Sequence, residues 1–277
     1  MCSGYCMALT RGMMPENFLT LPTCMTVPSS IARRPVRRAH RADAGGRRRG
    51  FTLIEVMVVV GIIGVLAALS VAALDELGAR GATQNTASDF FQSLNRARAR
   101  AAERGTQVYV LVYPGLRRDG TLTGGAGAWF VYEDATGDFL GTPALPTDLS
   151  WTTFSPPGSV QPGAGSTDRL LEATYLDDAP KRNVRFFRPE SPVTTVAFPA
   201  PFAAVDANAN GCSFCNGNRG AIVFTGERQA RFIQADGTPA AQRTAGVVLQ
   251  APRDLVTVRR FGVVGASGFI THLQGGP

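Results

Sequence analysis

The sequence predicts an α+β fold, a long helix followed by an antiparallel sheet, and three observations predict it. From Val56 to Leu74 nineteen consecutive residues carry no charge. No proline occurs between Phe51 and Tyr113, so nothing breaks a helix there. Beyond Gly105 the apolar period changes from that of a helix to two. A chain of 277 residues, 44% hydrophobic and 18% charged, suffices for one sizeable domain, and its composition excludes a disordered tail, a collagen or a small disulfide knot.

The first element is a basic leader, residues 1–50. It holds nine arginines against Glu16 and Asp43, which accounts for the whole formal charge of +7. The remaining 227 residues balance, with 19 basic and 19 acidic side chains. The pI near 9.6 first suggests nucleic acid or an anionic membrane as partner, but the excess charge is confined to this segment. It is rich in Arg, Pro, Ser and Gly, shows no apolar periodicity and ends in Gly45-Gly46-Arg47-Arg48-Arg49-Gly50, so no folded element is expected in it. Met25 is a more ordinary start than Met1 for a leader of this kind.

The second element, residues 51–74, is a membrane span. Its apolar run matches the roughly 20 residues that cross a ~30 Å hydrocarbon core, whereas soluble core helices keep a polar face. A cleaved secretory signal fits less well, because Glu55 would then lie stranded inside the apolar region. The preceding arginines place the leader in the cytoplasm and everything beyond Leu74 outside.

The third element, residues 75–105, is an amphipathic continuation of the same helix. Ala87, Phe90, Phe91, Leu94, Ala97 and Ala101 recur at helical spacing and mark its buried face. Arg96, Arg98, Arg100 and Arg104 complement the negative end of the helix dipole, and Gly105 is the expected residue just past the end. From Phe51 to Arg104 such a helix runs about 80 Å at 1.5 Å per residue.

The last element, residues 106–277, is β-rich. Strands are expected at Gln107 to Tyr113, Ala128 to Glu133, Val184 to Phe187, Thr194 to Phe198, Ala221 to Thr225, Gln229 to Gln234, Gly246 to Leu249, Leu255 to Arg259 and Gly268 to His272. The first two are joined by a turn carrying Gly120, Gly124, Gly125 and Gly127. The stretch from Gly137 to Asp168, rich in Pro, Gly, Ser and Thr, reads as a long surface loop.

The junction Arg47-Arg48-Arg49-Gly50-Phe51-Thr52-Leu53-Ile54-Glu55-Val56 closely resembles the processing signature of type IV prepilins and type II secretion pseudopilins. The resemblance implies a pilin-like fold and cleavage between Gly50 and Phe51 by a membrane aspartic peptidase, which also methylates the new amino group of Phe51. It further implies assembly through Glu55 into a filament with other pilins or pseudopilins, on an inner-membrane assembly platform. Gly50, without a Cβ, lets an extended backbone lie close in a peptidase cleft. A carboxylate in hydrocarbon costs about 2.5–3.5 kcal/mol on insertion scales and so has a partner or a task. For Glu55 the natural partner is the amino terminus of Phe51, on the same subunit or a neighbour, where a charge pair also sets axial register. The bland alternative is that Glu55 snorkels to the interface.

Within the family, the helix end Ser93-Leu94-Asn95-Arg96-Ala97-Arg98-Ala99-Arg100 with its following strand, and Gly220-Ala221-Ile222-Val223-Phe224 ahead of Gly226, resemble the minor pseudopilin H and minor pilin T group. Two functional classes follow. One is a minor pseudopilin in a periplasmic filament of a type II secretion machine, anchored singly in a bacterial inner membrane. The other is a minor type IV pilin, some of whose relatives bind DNA. Arg259 and Arg260, with Arg182, Arg185 and Arg188, are the candidate DNA patch. The Gly-Arg-x-Arg pattern of those relatives is absent, and solvated arginines are the simpler reading, so nucleic acid is not expected as a partner.

Once the leader with Cys2, Cys6 and Cys24 is removed, Cys212 and Cys215 are the only cysteines, and in an oxidising periplasm they most simply pair. A zinc site needs four ligands and only His272 could join them, so no metal is expected. No catalytic Ser/His/Asp or Cys/His set and no phosphate-binding glycine loop occurs, so neither an enzyme nor a cofactor is expected. Glu133-Asp134 and Asp177-Asp178 read as solvated turns.

Overall fold

The computed structural model describes residues 51–178, 184–186, 195–202, 205–206, 211–251 and 254–275. The leader with Gly50, and Arg182, Arg188, Phe187 and Thr194, lie outside the described residues. One helix, α1 (Leu53–Arg104), runs unbroken for 52 residues, about 78 Å at helical rise. It ends where the sequence predicts: Gly105 adopts φ +68°, and its N–H donates to the Ala101 carbonyl at 2.9 Å.

Eleven described strands follow: β1 (Gln107–Tyr113), β2 (Ala128–Asp134), β3 (Arg169–Tyr175), β4 (Arg185–Phe186), β5 (Thr195–Val196), β6 (Val205–Asp206), β7 (Gly220–Phe224), β8 (Ala230–Ile233), β9 (Thr244–Ala251), β10 (Asp254–Val264) and β11 (Phe269–Gly275). They make an antiparallel five-stranded sheet ordered β3-β2-β1-β7-β8, a four-stranded sheet ordered β11-β10-β9-β4 and a small β5-β6 pair. The expected α+β, pilin-like arrangement of a long amino-terminal helix on antiparallel sheets is observed.

The second half of α1 packs on both large sheets. Ala87, Phe90, Leu94, Ala97 and Ala101 meet Val108, Val110, Val112 and Phe224 of the first sheet, and Val247, Leu249, Phe261 and Val263 of the second. Phe90 is the keystone, edge-on to Trp129 at 5.3 Å and to Phe261 at 5.0 Å. Its burial alone contributes on the order of 2–3 kcal/mol.

The segment expected as a plain surface loop is a structural cover. Phe139, Trp151 and Phe154 are buried against Tyr109, Leu111, Tyr113, Phe130 and Tyr132 on the face of the first sheet that points away from the helix. The need for such a cover is written in β1 itself. Val108, Val110 and Val112 alternate with Tyr109, Leu111 and Tyr113, so both faces are apolar and both must be buried.

β3 was not among the expected strands. Leu171, Ala173 and Tyr175 alternate with Glu172 and Thr174 in it, and its register shifts near the start, with Val131 paired to Glu172 and Tyr132 to Leu170. β10 runs on past its expected end at Arg259 to Val264, with Gly262 inside the strand. A Cβ at Gly262 would stand 2.6 Å from the Phe202 ring.

Candidate functional site

The first turns of α1 form an uncovered apolar rod. Every residue from 51 to 70 is exposed, including Phe51, Ile54, Ile62 and Leu66. The stretch Leu53–Ser70 is long and apolar enough to cross a membrane by length and composition. Apolar surface of this extent needs a lipid or protein environment. Glu55 is the acidic residue of the first helical turn, where its carboxylate complements the positive end of the helix dipole.

Cys212 and Cys215 form a disulfide with Cα atoms 5.4 Å apart, and both are buried. The loop they close is stitched to β9. The Ser213 N–H donates to the Gly246 carbonyl at 2.9 Å, the Gly246 N–H to Ser213 Oγ at 3.0 Å, and the Val248 N–H to the Gly211 carbonyl at 2.7 Å. Because the same loop leads into β7, these hydrogen bonds connect the two large sheets, and the bridge closes the loop that makes them. Gly220 is required beneath it, since a Cβ there would lie 2.8 Å from Phe214 and 3.0 Å from Cys215 Sγ.

Arg259 and Arg260 are not brought into one patch. Neighbours on a strand, they point to opposite faces of the second sheet, and both are half-buried. Arg259 shares the helix-facing side with Phe261 and lies near His272, whose ring stacks on Phe261 at 4.9 Å and 9°. Burial, and then the Arg259 charge, hold the His272 pKa below its ordinary value. Arg260 donates to the Ala197 carbonyl at 2.6 Å on the other face. Arg185 is half-buried on β4.

The acidic pair Glu133-Asp134 is not a solvated turn. It ends a strand with both faces covered, so Glu133 and Asp134 are buried on opposite sides. Glu133 accepts from Arg100 at 3.1 Å. Asp134 accepts the N–H groups of Gly137 at 2.6 Å and Phe139 at 3.1 Å, which folds the covering segment back onto the sheet. Asp178 pairs with Arg118 at 3.3 Å and Asp177 accepts from the Ala126 N–H at 3.1 Å, so this second pair also ties loops together.

Two further clusters had no expected role. Glu172 accepts from Ser93 at 2.8 Å, the Trp129 indole at 3.0 Å and Arg96 at 3.0 Å, which joins β3 to the helix. Asp134, Asp138 and Asp168 bring carboxylate oxygens within 4.8 Å of one another. Their oxygens take protein donors: Asp168 accepts from Tyr132 at 2.9 Å and the Ala135 N–H at 2.8 Å, and Asp138 from Thr136 at 2.7 Å. The cluster is therefore a hydrogen-bonded clamp for the covering segment. Burial raises the pKa of Asp134 and of Asp168 against those donors.

Residues 45–71 match the family model described as the prokaryotic N-terminal methylation motif. The chain carries the methylation motif of type IV pilin-like proteins. Comparison with curated proteins and with solved structures finds no match. The described part of the motif match, residues 51–70, is the exposed apolar stretch at the start of α1 and lies outside the β-rich part. The motif implies processing by a prepilin peptidase and assembly into a pilin-type filament.

Proposed function

We propose that the chain is a minor pseudopilin of a type II secretion system. Residues 1–50 are a cytoplasmic leader cut off after Gly50, Phe51 becomes the methylated amino terminus, residues 51–74 hold the subunit in the inner membrane, and residues 106–277 form a periplasmic domain on the amphipathic segment 75–105. The observation that carries this reading is the methylation motif over residues 45–71, on a chain bare over residues 51–70 whose helix is covered from Ala82 onward. A subunit built this way leaves the membrane by exchanging lipid for the helices of its neighbours, because the bare stretch is apolar on every side. The Ser93–Gly105 helix end and the Gly220–Phe224 strand support the minor, H-like assignment. The half-buried, opposed Arg259 and Arg260 favour this reading over a DNA-binding pilin.

The test is labelling of intact cells with an impermeant reagent against an epitope inserted at the exposed Leu140 turn. A periplasmic filament leaves intact cells unlabelled and permeabilised cells labelled. Labelling of intact cells along surface fibres overturns the secretion role in favour of a pilus.

A further inference from the structure

Among the described residues only one other than glycine has a positive φ, and it is Arg228, at 62°. It closes the β7–β8 turn, where its N–H donates to the Thr225 carbonyl at 2.9 Å and the Thr225 N–H to the Gln229 carbonyl at 3.0 Å. Glycine or asparagine adopts this conformation more readily than arginine does. The glycine of this turn is placed elsewhere, at Gly226, because the backbone of Gly105 passes 2.9 Å from where a Cβ would be. The Arg228 residue is exposed.

The position puts a second arginine at the groove that Arg98 lines. The two arginines line a groove of about 600 Å³ along the outer side of α1, with Ala99 and Ala102 as its floor and Asn95 and Glu103 completing it. Arg98 is held in place by donating to the Ser267 carbonyl at 3.1 Å. Its neighbours Arg96 and Arg100 are spent on Glu172 and Glu133, whereas among the described residues no carboxylate lies within ion-pair distance of Arg98 or Arg228.

We propose that this groove docks an acidic segment of a partner protein, whose carboxylates are taken by Arg98 and Arg228. A concave site with an alanine floor accepts a side chain's methylenes as well as its charge. A nucleic-acid strand fits less well, because the groove lining carries no aromatic ring on which a base could stack. The strained turn is then explained by function, since a residue held in an unfavourable conformation at a binding surface is there for its side chain.

The test is hydrogen exchange with mass detection on the full chain in nanodiscs, which resolves this groove from the arginine-rich leader. Hexaglutamate is expected to slow exchange of the 226–229 amides about fivefold, while hexalysine leaves them unchanged. Arg228→Gly relieves the backbone and leaves the melting temperature unchanged or raised, yet abolishes the slowing, as does Arg98→Gln. Slowing confined to the leader, equal slowing in the Arg228→Gly chain, or slowing by a twenty-residue oligothymidine in place of hexaglutamate each overturns the proposal.

Discussion

Buried single groups give the sharpest tests at the residue scale. Cys212 and Cys215 close a very short loop, so chain entropy alone assigns their bond about 2 kcal/mol. Replacing both with serine is expected to cost at least that in denaturant unfolding, since two hydroxyls would also enter a core of Phe214, Phe232 and Val247. Free thiols on the non-reduced chain, found by mass spectrometry, would contradict the bridge. His272 supplies a pH dependence. Its folded pKa is depressed, so as pH falls below about 6.5 the unfolded chain takes up a proton that the folded one resists, and stability drops. His272→Phe keeps a ring on Phe261 and is expected to flatten that acid-side loss between pH 7.5 and 5.5. Unchanged pH dependence would mean the imidazole is not the group responsible. The cysteine pairing was legible because only two cysteines follow the leader. The burial of Glu133 and Asp134 was not, because an acidic pair before Thr-Gly looks the same in a solvated turn and at the end of a strand covered on both faces.

The helix-to-sheet contacts are where burial decides magnitude at the scale of elements. Arg100 and Glu133 have side chains 24% and 5% exposed, while Arg96 is 68% exposed on its bridge to Glu172. Arg100→Ala strands a buried carboxylate and is expected to cost about 2–3 kcal/mol, whereas Arg96→Ala costs under about 1 kcal/mol. Phe90→Ala opens a hole where three elements meet and is expected to cost about 3–5 kcal/mol. Urea unfolding followed by tryptophan fluorescence ranks the three, and an Arg96 effect equal to that of Arg100 would refute the burial argument. The helix was legible throughout, from its unbroken apolar run, its Ala87-to-Ala101 stripe and Gly105. The role of residues 137–168 was not read off composition, because its three buried aromatics are scattered among Pro, Gly and Ser. The signal lay instead in the doubly apolar β1. The edge strand β3 escaped although Leu171, Ala173 and Tyr175 alternate with Glu172 and Thr174, because it follows directly on the long Pro-, Gly- and Ser-rich stretch.

At the scale of the whole molecule, one helix joins a bare apolar stretch to a packed β-rich part. The portion from Ala82 onward is anchored by a conventional core, and residues 51–70 have no cover of their own. Gly61 and Gly64 show how little that stretch packs on itself, since a Cβ at either of them would meet nothing within 4 Å. Glu55→Val is accordingly expected to leave insertion and processing unchanged and to deplete the subunit from isolated filaments, because it removes the partner proposed for the Phe51 amino group. Normal incorporation would assign Glu55 a merely tolerated position. The account as a whole depends on the leader being temporary and on residue 51 being the true beginning of the working subunit. The most direct measurement is intact mass with amino-terminal analysis of the protein recovered from membranes that contain prepilin peptidase. The account predicts a neutral chain of 227 residues opening on N-methylated Phe51. A chain that keeps Arg47 to Gly50, or one that begins beyond Leu74, would contradict it.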